Sequence, residues 1–298
     1  MTERVVQKVL RSGMLQLGDL QVHEVHGGHG SPVLFIHGLG SSGYMEWRFN
    51  LASAAARHRV FAPDLPGYGR TEKPRVRYTI AYFARFVERY MEERGLRAAS
   101  IVGTSLGGRI ALEVALARPQ LARRLVLVNA LGLGRPRPQM AQMAYGLVTV
   151  PAVGEAVMRF TRGALRWASP RTIRKVAGRF AGASSDLEKV MDDAYLDDLR
   201  ELYATDEFHN AYLSTVRSLI HPRALLGGEH DVSARLSELK MPVQLIWGSA
   251  DPLFPVEHAT RAHAAIANCK LAVIEGAGHT PQAERPEEFN RVLQAFLA

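Results

Sequence analysis

The chain predicts an α/β domain, a mostly parallel sheet with helices on both faces, split by an inserted helical cap. Three observations carry this. Short apolar runs such as Pro32–Ile36 (PVLFI) and Val243–Trp247 (VQLIW) alternate with stretches of helical period, as parallel strands joined by crossover helices do. Several of these runs end in glycine-containing turns that carry Ser, Asp or His. From about Leu131 to Leu239 no comparable run occurs, and that stretch reads as helices.

Taken in order, Met14–His26 mixes Leu and Val with polar residues, as an antiparallel pair at a sheet edge would. Pro32–Ile36 is a short buried strand ending at His37-Gly38, and Arg59–Ala62 leads another into Pro63-Asp64. Ser100–Gly103 makes a third, followed at once by a helical pattern over Leu106–Ala117 that Pro119 closes. Leu125–Val128 is a fourth. Prolines 136, 138, 151, 170 and 222 punctuate the helical middle. Strands resume at Val243–Trp247 and Leu271–Ile274, and a last helix covers Pro286–Leu297. The expected organisation is a core of residues 1–130 and 240–298 with a cap of residues 131–239.

Composition narrows the class. The chain has 298 residues, 47% hydrophobic and 22% charged, which is ordinary for a globular protein with a sizeable core. The net charge of +8 suits a basic surface, and no nucleic-acid module is legible. The lone Cys269 cannot form an internal disulfide and reads as a packed thiol. The N-terminal MTERVVQKVLRSG lacks the apolar core of a signal peptide, and no window of 18 apolar residues appears, so the default location is the cytoplasm. Val5, Val6, Val9 and Leu10 suggest one face of a short helix that packs on the body, membrane-surface contact being the lesser reading. In the cap, Arg159, Arg162, Arg166, Arg171, Arg174, Lys175 and Arg179 precede Asp186, Glu188, Asp192, Asp193, Asp197, Asp198 and Glu201. The plain reading is two helical hairpins whose solvated faces attract each other. The functional one is an electropositive entrance for acidic substrates or lipid surfaces.

Gly103-Thr104-Ser105-Leu106-Gly107 matches G-x-S-x-G, between a strand end and a helix start. That setting lifts a serine hydroxyl above a sheet on a tight turn, beside a helix N-terminus that stabilises negative charge. A serine needs a base. Among 11 histidines, His279 stands out because Gly276-Ala277-Gly278 carries it off the end of a strand. The base needs an acid to fix its tautomer. Asp251, reached from Trp247 through Gly248-Ser249-Ala250, supplies it, although Asp-Pro is also a common turn. Two backbone N–H groups would form the oxyanion hole: Leu106, and Leu39 in His37-Gly38-Leu39-Gly40, with Gly40 as the alternative.

HGLG at 37–40, DLPGYGRT at 64–71, GTSLGG at 103–108, WGSADPLFP at 247–255 and GAGHTPQAERPEEF at 276–289 together resemble the α/β-hydrolase family. The resemblance implies eight mainly parallel strands, a helical cap after the sixth, and no metal or organic cofactor. A serine at the elbow departs from relatives with aspartate there, such as epoxide hydrolases and haloalkane dehalogenases. The expected activity is hydrolysis of a small apolar carboxylic ester, by a monomer or homodimer with no nucleic-acid partner. The alternatives are a carbon–carbon bond hydrolase of the meta-cleavage type, a cofactor-free perhydrolase, an acyltransferase or thioesterase, and a non-catalytic ligand-binding relative. Meta-cleavage enzymes commonly carry an aromatic residue soon after the histidine, where this chain has Thr280-Pro281-Gln282.

Overall fold

The computed structural model describes residues 9–135, 146, 148–183, 185–219 and 231–298. Eight strands form one sheet: β1 (Leu10–Leu17), β2 (Leu20–Gly27), β3 (Pro32–Ile36), β4 (Arg59–Pro63), β5 (Ala99–Thr104), β6 (Ala122–Val128), β7 (Val243–Gly248) and β8 (Cys269–Ile274). Their spatial order is β1-β2-β4-β3-β5-β6-β7-β8. β1 and β2 pair antiparallel, as does β2 with β4, and every other neighbouring pair is parallel.

The period of two along the strands sorts side chains into two cores. Leu34, Ile36, Ile101, Leu125, Leu127 and Leu245 face one layer, whereas Val33, Phe35, Val102, Val126, Val128 and Ile246 face the other. Both faces are covered, which is why the central strands read as continuous apolar runs.

In chain order the described helices are α1 (Gly43–Trp47), α2 (Leu51–Ala55), α3 (Ile80–Glu93), α4 (Leu106–Ala117), α5 (Val153–Trp167), α6 (Pro170–Ala177), α7 (Leu187–Val190), α8 (Asp193–Leu202), α9 (Asp206–Leu219), α10 (Val256–Ala265), α11 (Pro281–Glu284) and α12 (Pro286–Leu297). The first core takes Phe83, Val87 and Tyr90 from α3, Ile110 and Val114 from α4, and Ala259 from α10. The second takes Trp47, Leu51, Phe289 and Leu293 from α1, α2 and α12. Ser42 and Thr79 cap α1 and α3 by accepting the N–H groups of Met45 and Tyr82. Such caps satisfy donors that a helix start leaves open.

The described α-helices between β6 and β7 are α5 to α9, followed by a 3-10 turn at Ser233–Glu238. α9 docks on the body: Thr215 accepts from Tyr68 Oη at 2.8 Å, and Ser214 Oγ accepts from the Tyr78 N–H at 3.0 Å. Ile173, Met191 and Leu196 form a small separate core under α6 and α8. Pro170 starts α6 rather than merely breaking a helix, with Ser169 as its cap. The basic and acidic runs meet at Arg174–Asp193, while Arg162 pairs with Asp206, beyond the acidic run.

One expectation fails in part: Val9 is helical and packs against the second core, but Leu10 does not continue the helix. Leu10 opens β1 and pairs with Gly27, so it belongs to the sheet and not to an N-terminal helix. The ladder with β2 satisfies its backbone, which outweighs the weak helical spacing of a few apolar residues. Val5, Val6, Pro136, Pro138 and Pro222 lie outside the described residues.

Candidate active site

The site gathers at the C-terminal ends of β3, β5, β6, β7 and β8, where open α/β sheets place their chemistry. Ser105 follows β5 directly and has φ 49° and ψ −116°. Positive φ costs a non-glycine residue energy, so the neighbours must hold it. They do so at both ends: the Ser105 N–H donates to Val128 O at 3.0 Å, and Ser105 O accepts from the Leu131 N–H at 3.0 Å. The flanking glycines are required by close approach. A β-carbon on Gly103 would lie 2.4 Å from Gly107 O, and one on Gly107 would lie 2.3 Å from Ile36 O. α4 begins at the next residue without a side-chain cap, so Leu106 N–H sits among the open donors of a helix start.

β7 and β8 bring Asp251 and His279 together. Asp251 is buried, and its Oδ2 lies 3.0 Å from His279 Nδ1. Its Oδ1 accepts from the N–H groups of Leu253 (2.8 Å) and Phe254 (3.2 Å), so the turn reading of Asp-Pro is also true. A carboxylate only accepts, so Nδ1 carries the proton and Nε2 is left as the basic nitrogen. Burial lowers the His279 pKa, but the charge and hydrogen bond of Asp251, helped by Glu46 and Glu284, outweigh it and leave the pKa above 6.5. Among the described residues Ser105 Oγ makes no hydrogen bond with His279 at this geometry. Such bonds are often long in an unliganded enzyme.

The loop 37–40 crosses beside the serine. His37 is fully buried and locked: Nε2 accepts the Leu65 N–H at 2.9 Å, so Nδ1 donates to Gly38 O at 2.8 Å. Burial lowers its pKa and keeps it neutral. A β-carbon on Gly38 would fall 3.5 Å from Ser105 Cβ and 3.4 Å from Glu46 Oε2. Leu39 follows on this same loop, packed against the first core, and Gly40 (φ +74°) faces Tyr203 and Tyr212 of the cap.

Three polar groups here escaped the sequence analysis. Asn129, at the end of β6 with φ 40°, donates from Nδ2 to Asp251 Oδ2 and to Gly278 O, and accepts the Gly248 N–H at 3.0 Å. It ties together the two loops that carry Asp251 and His279. Glu284 accepts from the N–H groups of Gly278 (2.9 Å), Thr280 (3.0 Å) and Gly182 (2.8 Å), and from Ser185 Oγ. Its carboxylate therefore clasps the His279 loop to the cap, where Phe180 O also accepts the His279 N–H at 2.9 Å. Glu46 accepts from Gln282 Nε2 at 2.7 Å and from Gly38 N at 3.2 Å, placing a carboxylate at the edge of the cleft. The signal for Asn129 was a polar residue at a strand end with β-branched neighbours, in LVLVNA. Glu46 and Glu284 sit in helices, where sequence alone shows only polar positions.

The family model for the alpha/beta hydrolase fold matches residues 31–286. An uncharacterized protein of Mycobacterium tuberculosis is 33% identical over 289 residues, covering 93% of this chain and 81% of that protein. A 2-hydroxy-6-oxononadienedioate/2-hydroxy-6-oxononatrienedioate hydrolase of Pseudomonas putida is 29% identical, covering 97% of this chain and 94% of its own. Among solved structures, a meta-cleavage product hydrolase from Pseudomonas fluorescens superposes with a TM-score of 0.76 at 25% identity, covering 98% of each chain. With eight strands in this order, a serine on a strained strand-to-helix turn and a match over most of its length, the chain belongs to the α/β-hydrolase family.

Proposed function

We propose that the chain is a serine hydrolase of carboxylic esters, with Ser105 as nucleophile, His279 as general base and Asp251 as the acid that orients it. The observation that carries this is the strained Ser105 at an uncapped helix start, at the C-terminal end of the sheet that also presents the His279–Asp251 pair. The core would comprise residues 1–130 and 240–298 and the cap residues 131–239.

Ser105 Oγ attacks the ester carbonyl carbon while His279 Nε2 takes its proton. The N–H groups of Leu106 and Leu39 receive the negative charge that develops on the carbonyl oxygen. Collapse breaks the bond to the alcohol oxygen, which leaves with the proton from His279. Water, deprotonated by the same nitrogen, then releases the acid and restores Ser105. These steps use side chains and backbone only.

Meta-cleavage carbon–carbon hydrolysis is the second reading, because a relative with a dienedioate hydrolase name matches nearly the whole chain. Two features weigh towards esters. Thr280 and Pro281 follow His279 where an aromatic is common in that class. The Glu46 carboxylate near Ser105 repels a second carboxylate in the cleft. Incubation with a fluorophosphonate and mapping of the adduct, alongside p-nitrophenyl esters of graded chain length, tests the proposal. A Ser105 adduct with ester turnover is expected. An adduct without ester turnover would favour the carbon–carbon reading, and no adduct on folded protein would return the chain to a ligand-binding role.

A further inference from the structure

α5 is amphipathic the wrong way round for a helix that only packs. Gly154 and Met158 are buried against the body. On the outer side Val153, Ala156, Phe160, Gly163, Ala164 and Trp167 are all exposed. Their spacing of i, i+3, i+7, i+10, i+11 and i+14 puts them in one continuous stripe. Phe160 is 77% exposed and Trp167 is 81% exposed, the two largest such values among the exposed large hydrophobic residues. Scattered apolar residues on a surface need no explanation, but an aligned aromatic stripe does.

The charges beside the stripe are also distinctive. Arg159 and Arg166 flank it on α5, and Arg171, Lys175 and Arg179 follow on and just after α6, together with exposed Val176. Arg162 and Arg174 are taken up by Asp206 and Asp193, and Glu155 by Arg217. Among the described residues none of Arg159, Arg166, Arg171, Lys175 and Arg179 forms an ion pair, and Arg166 stacks over the Trp167 ring at 5.4 Å. The internal pairing of the cap thus spares five cations, two of them on α5 beside the apolar stripe and three on the segment that follows it.

We propose that this face of the cap docks on an anionic lipid surface, with Phe160 and Trp167 inserted at the headgroup level and the five cations against lipid phosphates. An apolar stripe bordered by Arg and Lys is the pattern of a helix that lies in a bilayer interface. No described helix is long and apolar enough to cross a membrane, so contact by this face would be peripheral. The proposal stands apart from the chemistry at Ser105 and is tested without turnover.

The chain has three tryptophans, and Trp47 and Trp247 are fully buried, so a change in emission on lipid binding reports Trp167. Vesicles rich in phosphatidylglycerol should blue-shift the emission and sediment the protein, and pure phosphatidylcholine vesicles should do so far less. Arg159→Gln, Arg166→Gln and Arg171→Gln should each weaken binding about fivefold. The double variant Phe160→Ser with Trp167→Ser, checked for native circular dichroism, should weaken it at least about tenfold. The proposal is overturned if anionic vesicles leave the wild-type emission unchanged, or if the double Ser variant binds as well as the wild type. It is equally overturned if the wild type is a dimer that the double variant dissolves, which would assign the stripe to a second copy.

Discussion

Ser12 Oγ lies 2.8 Å from His23 Nε2, and His23 Nδ1 lies 2.8 Å from Asp64 Oδ2. Residue type for residue type, the sheet edge repeats the constellation proposed for Ser105, His279 and Asp251. Even a cavity of about 650 Å³ opens there, lined by Ser12, His23, Asp64, Arg70 and Lys73 among others. The surroundings differ. Ser12 sits mid-strand in β1, on extended backbone paired with β2. No helix start follows it. Asp64 also accepts from the N–H groups of Gly43 (2.7 Å) and Arg70 (2.9 Å), so it shapes the turn after β4. Ser105 has the strained backbone, the uncapped helix and the adjoining glycine loop. A hydrogen-bonded Ser-His-Asp chain is thus not enough; the backbone must also offer unspent donors where charge will develop.

The comparison breaks most sharply on the serines themselves. Ser105→Ala should lower kcat by roughly 10⁴–10⁶-fold, whereas Ser12→Ala should leave kcat/KM within about twofold, since surface hydroxyls carry little. Fluorophosphonate should mark Ser105 alone; an adduct at Ser12 in the Ser105→Ala protein would erase the distinction. Next come the acids. Asp251→Asn should cost about 10⁴-fold in kcat through the wrong histidine tautomer. Asp64→Asn should instead act on folding, costing about 1–3 kcal/mol in a urea titration through its unmet donors.

Asn129→Ala is expected to lower kcat about 10²-fold while ester KM changes little, because it frees the two loops that carry Asp251 and His279. Wild-type kcat in that variant would remove Asn129 from the positioning role. The smallest effect concerns pH. In its proposed role His279 works deprotonated, and its pKa is raised, so kcat/KM should rise through an inflection alkaline of 6.5. Glu46→Gln removes one raising charge and should move that inflection towards acid. The stability term runs the other way. With its folded pKa raised, His279 stabilises the fold most fully below its unfolded pKa, and that contribution is lost as pH rises through the folded pKa.

Much of this architecture was legible because strands buried on both faces announce themselves. PVLFI and VQLIW mark β3 and β7 almost to the residue, and the helices over Leu106–Ala117 and Pro286–Leu297 fall where the spacing placed them. The loops bearing Ser105, Asp251 and His279 could be located because each follows such a run. What stayed hidden depends on contacts between distant segments. Asn129 meets Asp251 across 122 positions, and Gln282 meets Glu46 across 236. Neither periodicity nor turn chemistry encodes such pairings. Leu10 failed for the same reason, since its partner Gly27 decides its state.

The clasp at Glu284 has a consequence for how such a protein could change. Gly182 and Ser185 share one carboxylate with the loop of the histidine. A transplant of the cap from another hydrolase would therefore carry its own seat for the imidazole. Grafts that omit Gly182 and Ser185 would disturb the seat of His279 along with any pocket the insertion shapes. In this scaffold the two traits would be inherited together.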